Sequence, residues 1–413
     1  MLLCDIPFFP CCFHQRKKGA SMAIKRAICL AGGGPAVGLS IGALERLHRE
    51  PDITFDVWSL ACIGAWLGIV WNQAERGKEA QTSEAFFRGI FRPDDVYDKF
   101  PVAAAFAPDF EAATQNTLNF VLDSNSYRNL VIPEAIKEAS EEIVAFTKDP
   151  GKWSQANFNA LILNQVLAVN PVSRFMTSLM YKSATKGLSR VFYPDSAFLQ
   201  QIDFKALYQP GRPTLYHNSY NLTDQRLELF SNKDSKYQRI SAETLCACSA
   251  LPYIEEPVTM NGKVYCEGAT IDTVNFEDLL TNHPDLDEVW VSRILDRKQI
   301  RRPENLYDAL NNLVMLFAST TSEDDVKLFK YHLRETGSKV KVIEIPVASN
   351  INYDWSWSNL DRSITDGRLA AESVLKAYRR AAPAKADRPK AASAKAAGMS
   401  APMADAASDT VDA

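Results

Sequence analysis

The chain has 413 residues, 46% of them apolar and 23% charged, with a formal net charge of −4. That balance describes a soluble globular protein able to bury a large core, organised as one main domain with insertions, and it argues against a general nucleic-acid partner. Eight cysteines are too few and too scattered for a disulfide framework in a chain this long, so reduced thiols and a cytoplasmic location are expected.

Residues 1–21 resemble nothing that follows. An apolar run from Ile6 to Phe13 precedes Arg16-Lys17-Lys18, which reverses the charge order of a secretory signal and is too short to span a bilayer. This stretch reads as an N-terminal extension, either a loose tail or an untranslated leader with Met22 as the start. The main domain then runs from residue 22 to about residue 380.

Ala27 to Ala31 predicts a buried strand, followed by Gly32-Gly33-Gly34-Pro35-Ala36-Val37-Gly38 and a helical pattern on Leu39, Ala43, Leu44 and Leu47. Three glycines between a strand and a helix leave amide N–H groups bare, which makes an anion cradle for either a phosphate or an oxyanion. The dinucleotide fingerprint fails because Val37 stands at its third glycine, and no Gly-Lys-Ser/Thr follows to make a Walker loop.

About thirty residues later, Phe55 to Leu60 is a short β-prone run that stops at Ala61-Cys62, and a helical pattern starts at once. Such a strand-to-helix corner exposes a nucleophile, here Cys62, with Gly64 letting the turn close. The pattern G-x-S-x-G reads Leu60-Ala61-Cys62-Ile63-Gly64, with a thiol in place of a hydroxyl and Leu60 in place of the first glycine.

From about Ala74 to Ala206 the periodicity is helical, with strong amphipathic patterns over Pro133–Phe146 and Phe158–Val169. Ser173 to Arg190 mixes Phe175, Met176, Leu179 and Met180 with Arg174, Lys182 and Lys186. It reads first as a lid helix packed on the core, second as a basic helix lying on an anionic lipid surface. Strands are then expected at Thr214–Tyr216, Leu227–Phe230, Lys263–Cys266, Val289–Ile294 and Lys339–Ile345. Helices are expected at Ser241–Ala250, Leu306–Phe317, Glu323–Leu333 and Asp361–Arg379. The strand at Lys263 delivers Glu267 at its carboxyl end, the edge where open α/β sheets collect their chemistry. Residues 381–413 are rich in alanine, proline, lysine and aspartate without aromatics and read as a disordered tail.

The glycine loop, the corner at Cys62, Ser249-Ala250-Leu251-Pro252 and Tyr265-Cys266-Glu267-Gly268-Ala269 follow one another in an order that resembles the patatin-like acyl hydrolases, over roughly Ile24 to Tyr378. The resemblance implies a three-layer α/β sandwich with a mainly parallel central sheet and a helical insertion. It assigns Gly32, Gly33 and Gly34 to an oxyanion hole, with Gly38 closing that loop, and Cys62 to the nucleophile. Glu267, with Gly268 and Ala269, takes the place of the family's aspartate in a histidine-free dyad. Val37 replaces a frequent arginine of the loop.

The exchanged dyad is chemically coherent. Reference pKa values of about 8.5 for a thiol and about 4.3 for a glutamate lie far closer than those of a hydroxyl and a carboxylate. The helix dipole at Cys62 favours a thiolate and an ionised Glu267 opposes it, so proton transfer is expected during attack. Asp272, five residues on, is the rival base. The five histidines show no ligand spacing, no zinc pattern is present, and no cofactor is expected. Trp355-Ser356-Trp357 suggests an aromatic ledge.

The function implied is hydrolysis of a lipid or other acyl ester through a thioester, with a peripheral membrane or lipid-granule contact. Two alternatives stay open. One is a catalytically impaired protein that binds acyl chains or membranes, and the other is an intracellular polyhydroxyalkanoate hydrolase.

Overall fold

The structure, a computed structural model, describes residues 24–99, 118, 122, 133–162, 196–252, 254–347 and 351–381. The N-terminal extension, the basic segment Ser173–Arg190 and the tail from residue 382 lie outside the described residues.

The strands are β1 (Arg26–Leu30), β2 (Val57–Leu60), β3 (Thr214–Asn221), β4 (Arg226–Ser231), β5 (Gln238–Arg239), β6 (Val258–Met260), β7 (Lys263–Glu267), β8 (Glu288–Ser292) and β9 (Lys341–Ile345). They form one mixed, mostly parallel sheet in the order β5-β4-β3-β2-β1-β8-β9, with β7 on β3 and β6 on β7. The helices of eight or more residues, with one shorter one from the insertion, are α1 (Gly38–His48), α2 (Ile63–Gln73), α3 (Glu79–Ile90), α4 (Pro133–Lys148), α5 (Gln155–Leu161), α6 (Ala242–Ser249), α7 (Leu306–Glu335) and α8 (Trp357–Ala381). The expected helices over Leu306–Phe317 and Glu323–Leu333 are one continuous helix. The polar stretch between them, Ala318 to Ser322, holds no proline or glycine to stop it, and Ser319 and Ser322 bond back to Leu316 and Ser319 carbonyls. In the insertion, α4 matches the pattern from Pro133, and α5 begins three residues before Phe158; the rest of Phe158–Val169 lies outside the described residues.

Alternation along the strands divides the core between two faces. Ile28, Leu30, Trp58, Leu60, Leu215 and Trp290 point to the face covered by α1, α2 and α8. Ala27, Cys29, Val57, Tyr216, Val289 and Val291 point to the other, where Val326, Phe329 and Leu333 of α7 pack. This is the three-layer α/β sandwich that the motif order implies. Helices α1 and α8 approach so closely that a Cβ on Gly42 would lie 1.9 Å from the Ile364 carbonyl oxygen and one on Gly367 2.1 Å from that of Leu39.

The feature that positions the site is the length of β3. Its first half pairs in parallel with β2, ending at Leu60 opposite His217. Beyond that point the same edge pairs antiparallel with β7, ending at Glu267 opposite Ser219. Two strands therefore run toward each other along one edge, and only Asn218 lies between their ends.

At the opposite end of the sheet, Arg26 of β1 and Glu288 of β8 form a buried ion pair, Nε to Oε2 at 2.7 Å. Tyr378 of α8 donates to Oε1 at 2.9 Å and Trp290 Nε1 to Oε2 at 3.2 Å. Removing one partner of such a pair leaves a charge without compensation. Glu288→Ala is expected to lower stability by about 3 kcal/mol in urea unfolding while leaving the distant site intact.

Candidate active site

Cys62 sits between β2 and α2 with φ 48° and ψ −125°, a conformation that non-glycine residues rarely adopt and that costs of order 1–3 kcal/mol. The neighbours hold it there. Its N–H donates to Cys248 Sγ at 3.2 Å, and Asn275 Nδ2 donates to the Leu60 carbonyl at 3.0 Å. Gly64 lets the first turn of α2 cross β1, since a Cβ there would meet the Leu30 carbonyl oxygen at 2.2 Å. Leu60, at the place of the usual first glycine, turns its buried side chain onto Gly68, where a Cβ would stand 2.5 Å from Leu60 Cδ2. The sharp corner therefore survives the larger residue because the space has been moved one turn into the helix.

Glu267 ends β7 and is buried, its N–H bonded to the Ala250 carbonyl at 3.0 Å. Gly268 allows the chain to turn against β3, as a Cβ there would meet Asn218 Oδ1 at 2.6 Å. The Glu267 carboxyl and the Cys62 thiol interact directly, and each shifts the other's proton affinity. Burial raises the Glu267 pKa to about 7, which contact with the thiol partly offsets. Burial first, and then the Glu267 charge, push the Cys62 thiol well above its usual range; the Ile63 N–H opposes this only weakly. A second buried acid, Glu255, is driven well up by burial and by Glu267, so Glu267 is the one that ionises first.

The glycine loop completes the site. Gly32 lies against Cys62: a Cβ there would be 3.0 Å from the Cβ atoms of both Cys62 and Ala269. Gly33 and Gly34 have φ of 154° and 51°, a conformation that glycine adopts without a Cβ penalty, and both line the cavity. One correction concerns Gly32: its N–H donates to the Thr273 carbonyl at 3.1 Å and so is not free for an oxyanion. The Gly33 and Gly34 N–H groups have no such backbone partner among the described residues, and the Ile63 N–H bonds to Cys62 Sγ. Gly38 stands apart from the cavity as a packing residue; a Cβ there would lie 1.9 Å from Ser363 Oγ.

Asp272 is also placed differently from a base. Its carboxylate accepts the N–H groups of Asn275 at 2.7 Å and Glu277 at 3.2 Å and caps that turn. Asp325 of α7 accepts from Thr273 at 2.8 Å and Val274 at 3.2 Å. A chain of contacts thus runs from α7 through Thr273 to the Gly32 amide. Ile63, Cys248, Asn275, Thr273 and Asp325 were not singled out by sequence. Only Ile63 carried a signal, as the residue after an elbow nucleophile.

Cys62, Glu267 and all three loop glycines open into one cavity of about 370 Å³. Leu251, Ile254, Leu295, Val314, Phe317 and Trp355 make most of it apolar, a size and lining typical of small-ligand sites. Trp355 contributes to it, whereas Trp357 turns away to donate to the Arg88 carbonyl at 3.1 Å. None of the described histidines lines the cavity; His217 is buried on Thr244, and burial drops its pKa to about 3. Among the described residues no group of side chains is arranged to hold a metal ion. No helix among them is long and apolar enough to cross a membrane.

A family model described as patatin-like phospholipase matches residues 28–280. The crystal structure of VipD from Legionella pneumophila is similar over 86% of this chain and 67% of that one, at 14% identity and a TM-score of 0.38. A search of curated proteins finds no match.

Burial holds the Asp272 carboxyl up to about 6 and that of Asp325 up to about 7, and Glu267 adds to the same effect. The fold retains these protons at pH values where an unfolded chain, with carboxyl pKa values of about 4, has lost them. Stability from this source is complete below about pH 4 and falls as pH rises toward 7. Asp325→Asn keeps an oxygen to accept both amides, so it is expected to flatten that decline in Tm, measured by calorimetry across the window. An unchanged slope would reject the assignment.

Proposed function

Because the chain belongs to the patatin-like phospholipase family, we propose that it hydrolyses carboxylic esters of lipids, with Cys62 as nucleophile and Glu267 as general base. The observation that carries this reading is the meeting of a positive-φ Cys62, a buried Glu267 and the glycine loop in one apolar cavity.

In the proposed cycle, ionised Glu267 takes the thiol proton as Cys62 sulfur attacks the ester carbonyl carbon. The carbonyl oxygen becomes an oxyanion facing the Gly33, Gly34 and Ile63 N–H groups, which are fixed before the reaction begins. Collapse expels the alcohol, which leaves with the proton held by Glu267, and a thioester remains. Glu267 then takes a proton from water as it attacks that thioester. The second collapse releases the fatty acid, and the sulfur recovers its proton from Glu267.

The strongly held thiol proton favours a second reading, a protein that binds acyl chains in the same cavity without turning them over. The two separate by experiment. A hydrolase acylated on sulfur shows a covalent adduct on Cys62 by mass spectrometry after brief exposure to an acyl donor, and Cys62→Ala removes both adduct and turnover. Its kcat/KM rises with pH, since Glu267 must be ionised, and levels off above about pH 7. Glu267→Gln is expected to lower kcat by about 100-fold or more. Fatty-acid binding without adduct or turnover establishes the second reading instead.

A further inference from the structure

Helix α7 has three faces. Met315, Ser319, Ser322, Val326, Phe329 and Leu333 are buried, the last three against the sheet. Val314, Phe317, Ala318 and Thr321 line the cavity. The third face carries Leu310, Leu313 and Phe317, at helical spacings of three and four, and these are 51%, 48% and 66% exposed, with Leu316 beside them at 44%. Single exposed leucines are ordinary, but a helical stripe of four large apolar side chains is not.

Two further observations say what such a face meets. From Ala309 to Ser322 the helix has no charged residue, so this stretch offers no charge to an ionic partner. Phe317 belongs to the stripe and to the cavity at once, so whatever covers the stripe is continuous with whatever fills the cavity. Thr270 also lines the cavity, and the next residue, Ile271, is 54% exposed. Ile271 therefore adds to the exposed apolar surface beside the cavity.

We infer that this rim, Leu310, Leu313, Leu316 and Phe317 together with Ile271, is the surface by which the protein seats its cavity on a lipid aggregate, letting an acyl chain pass from lipid to Cys62 without crossing water. The inference rests on the lipid-ester reading above. It differs from an electrostatic attachment in being driven by apolar burial, so it needs no anionic lipid and resists salt.

The test uses the full chain, phosphatidylcholine vesicles, and p-nitrophenyl butyrate as a monomeric ester. Leu310→Glu/Leu313→Glu alters two exposed side chains that do not line the cavity, and Leu310→Ser/Leu313→Ser guards against a folding artefact; thermal melts check both. Wild-type protein is expected to co-sediment with the vesicles at low and high salt, and both double variants to bind at least tenfold more weakly while cleaving p-nitrophenyl butyrate at the wild-type rate. Wild-type protein that does not bind, or variants that bind as well as it does, would overturn the proposal. So would a wild-type dimer that the variants convert to monomer with vesicle binding unchanged. If the wild type binds vesicles through the rim yet cleaves neither ester nor lipid, the docking surface stands and the hydrolase reading fails.

Discussion

The site depends on two strands that end facing each other on one edge of β3. Leu60 is the last residue of β2 and pairs with His217, and Glu267 is the last residue of β7 and pairs with Ser219. Both chains must leave the sheet at that point, because each blocks the other's path. Cys62 and Gly268 are the residues at which they turn, and the thiol and the carboxyl meet there although they are about two hundred positions apart in the chain. Asn218, the single residue between the strand ends, ties the junction down by donating to the Asp272 carbonyl at 2.8 Å.

That junction also explains the electrostatics. A carboxyl at the end of a buried strand is cut off from water, and no cation among the contacts that perturb it offsets the loss, so its pKa climbs to about 7. In water such a group would be too weak a base to draw a proton from a hydroxyl. In the proposed cycle the proton acceptor is strengthened by burial and the donor is a thiol, which needs less. Burial and the Glu267 charge keep the Cys62 thiol protonated at rest, so the proposed proton transfer accompanies the attack.

The wall around Cys62 and Glu267 is supported from the far layer of the fold. Asp325 holds Thr273, and Thr273 accepts from the Gly32 amide, so α7 is tied to the glycine loop that lines the cavity. The same helix supplies one side of the cavity and the exposed apolar rim. Core, site and surface are thereby joined by a single rigid element, and a shift in its packing would be felt in all three.

Much of the fold was legible in the sequence because β1, β2 and β8 are short, fully buried runs and the helices carry clear periodicity, whereas the exposed β5 and the partly exposed β6 gave no such signal. The glycine loop, the elbow and the Glu267-Gly268-Ala269 turn were readable in order, since each needs a residue type that few other structures require. The sequence could not show that Gly32 has spent its amide on Thr273, that Asp272 caps a turn, or that Leu60 is tolerated because Gly68 lies behind it. Those facts depend on which groups become neighbours across the sheet. Local pattern fixes what a residue is able to do, and only the folded arrangement decides which partner claims its hydrogen bond or its space.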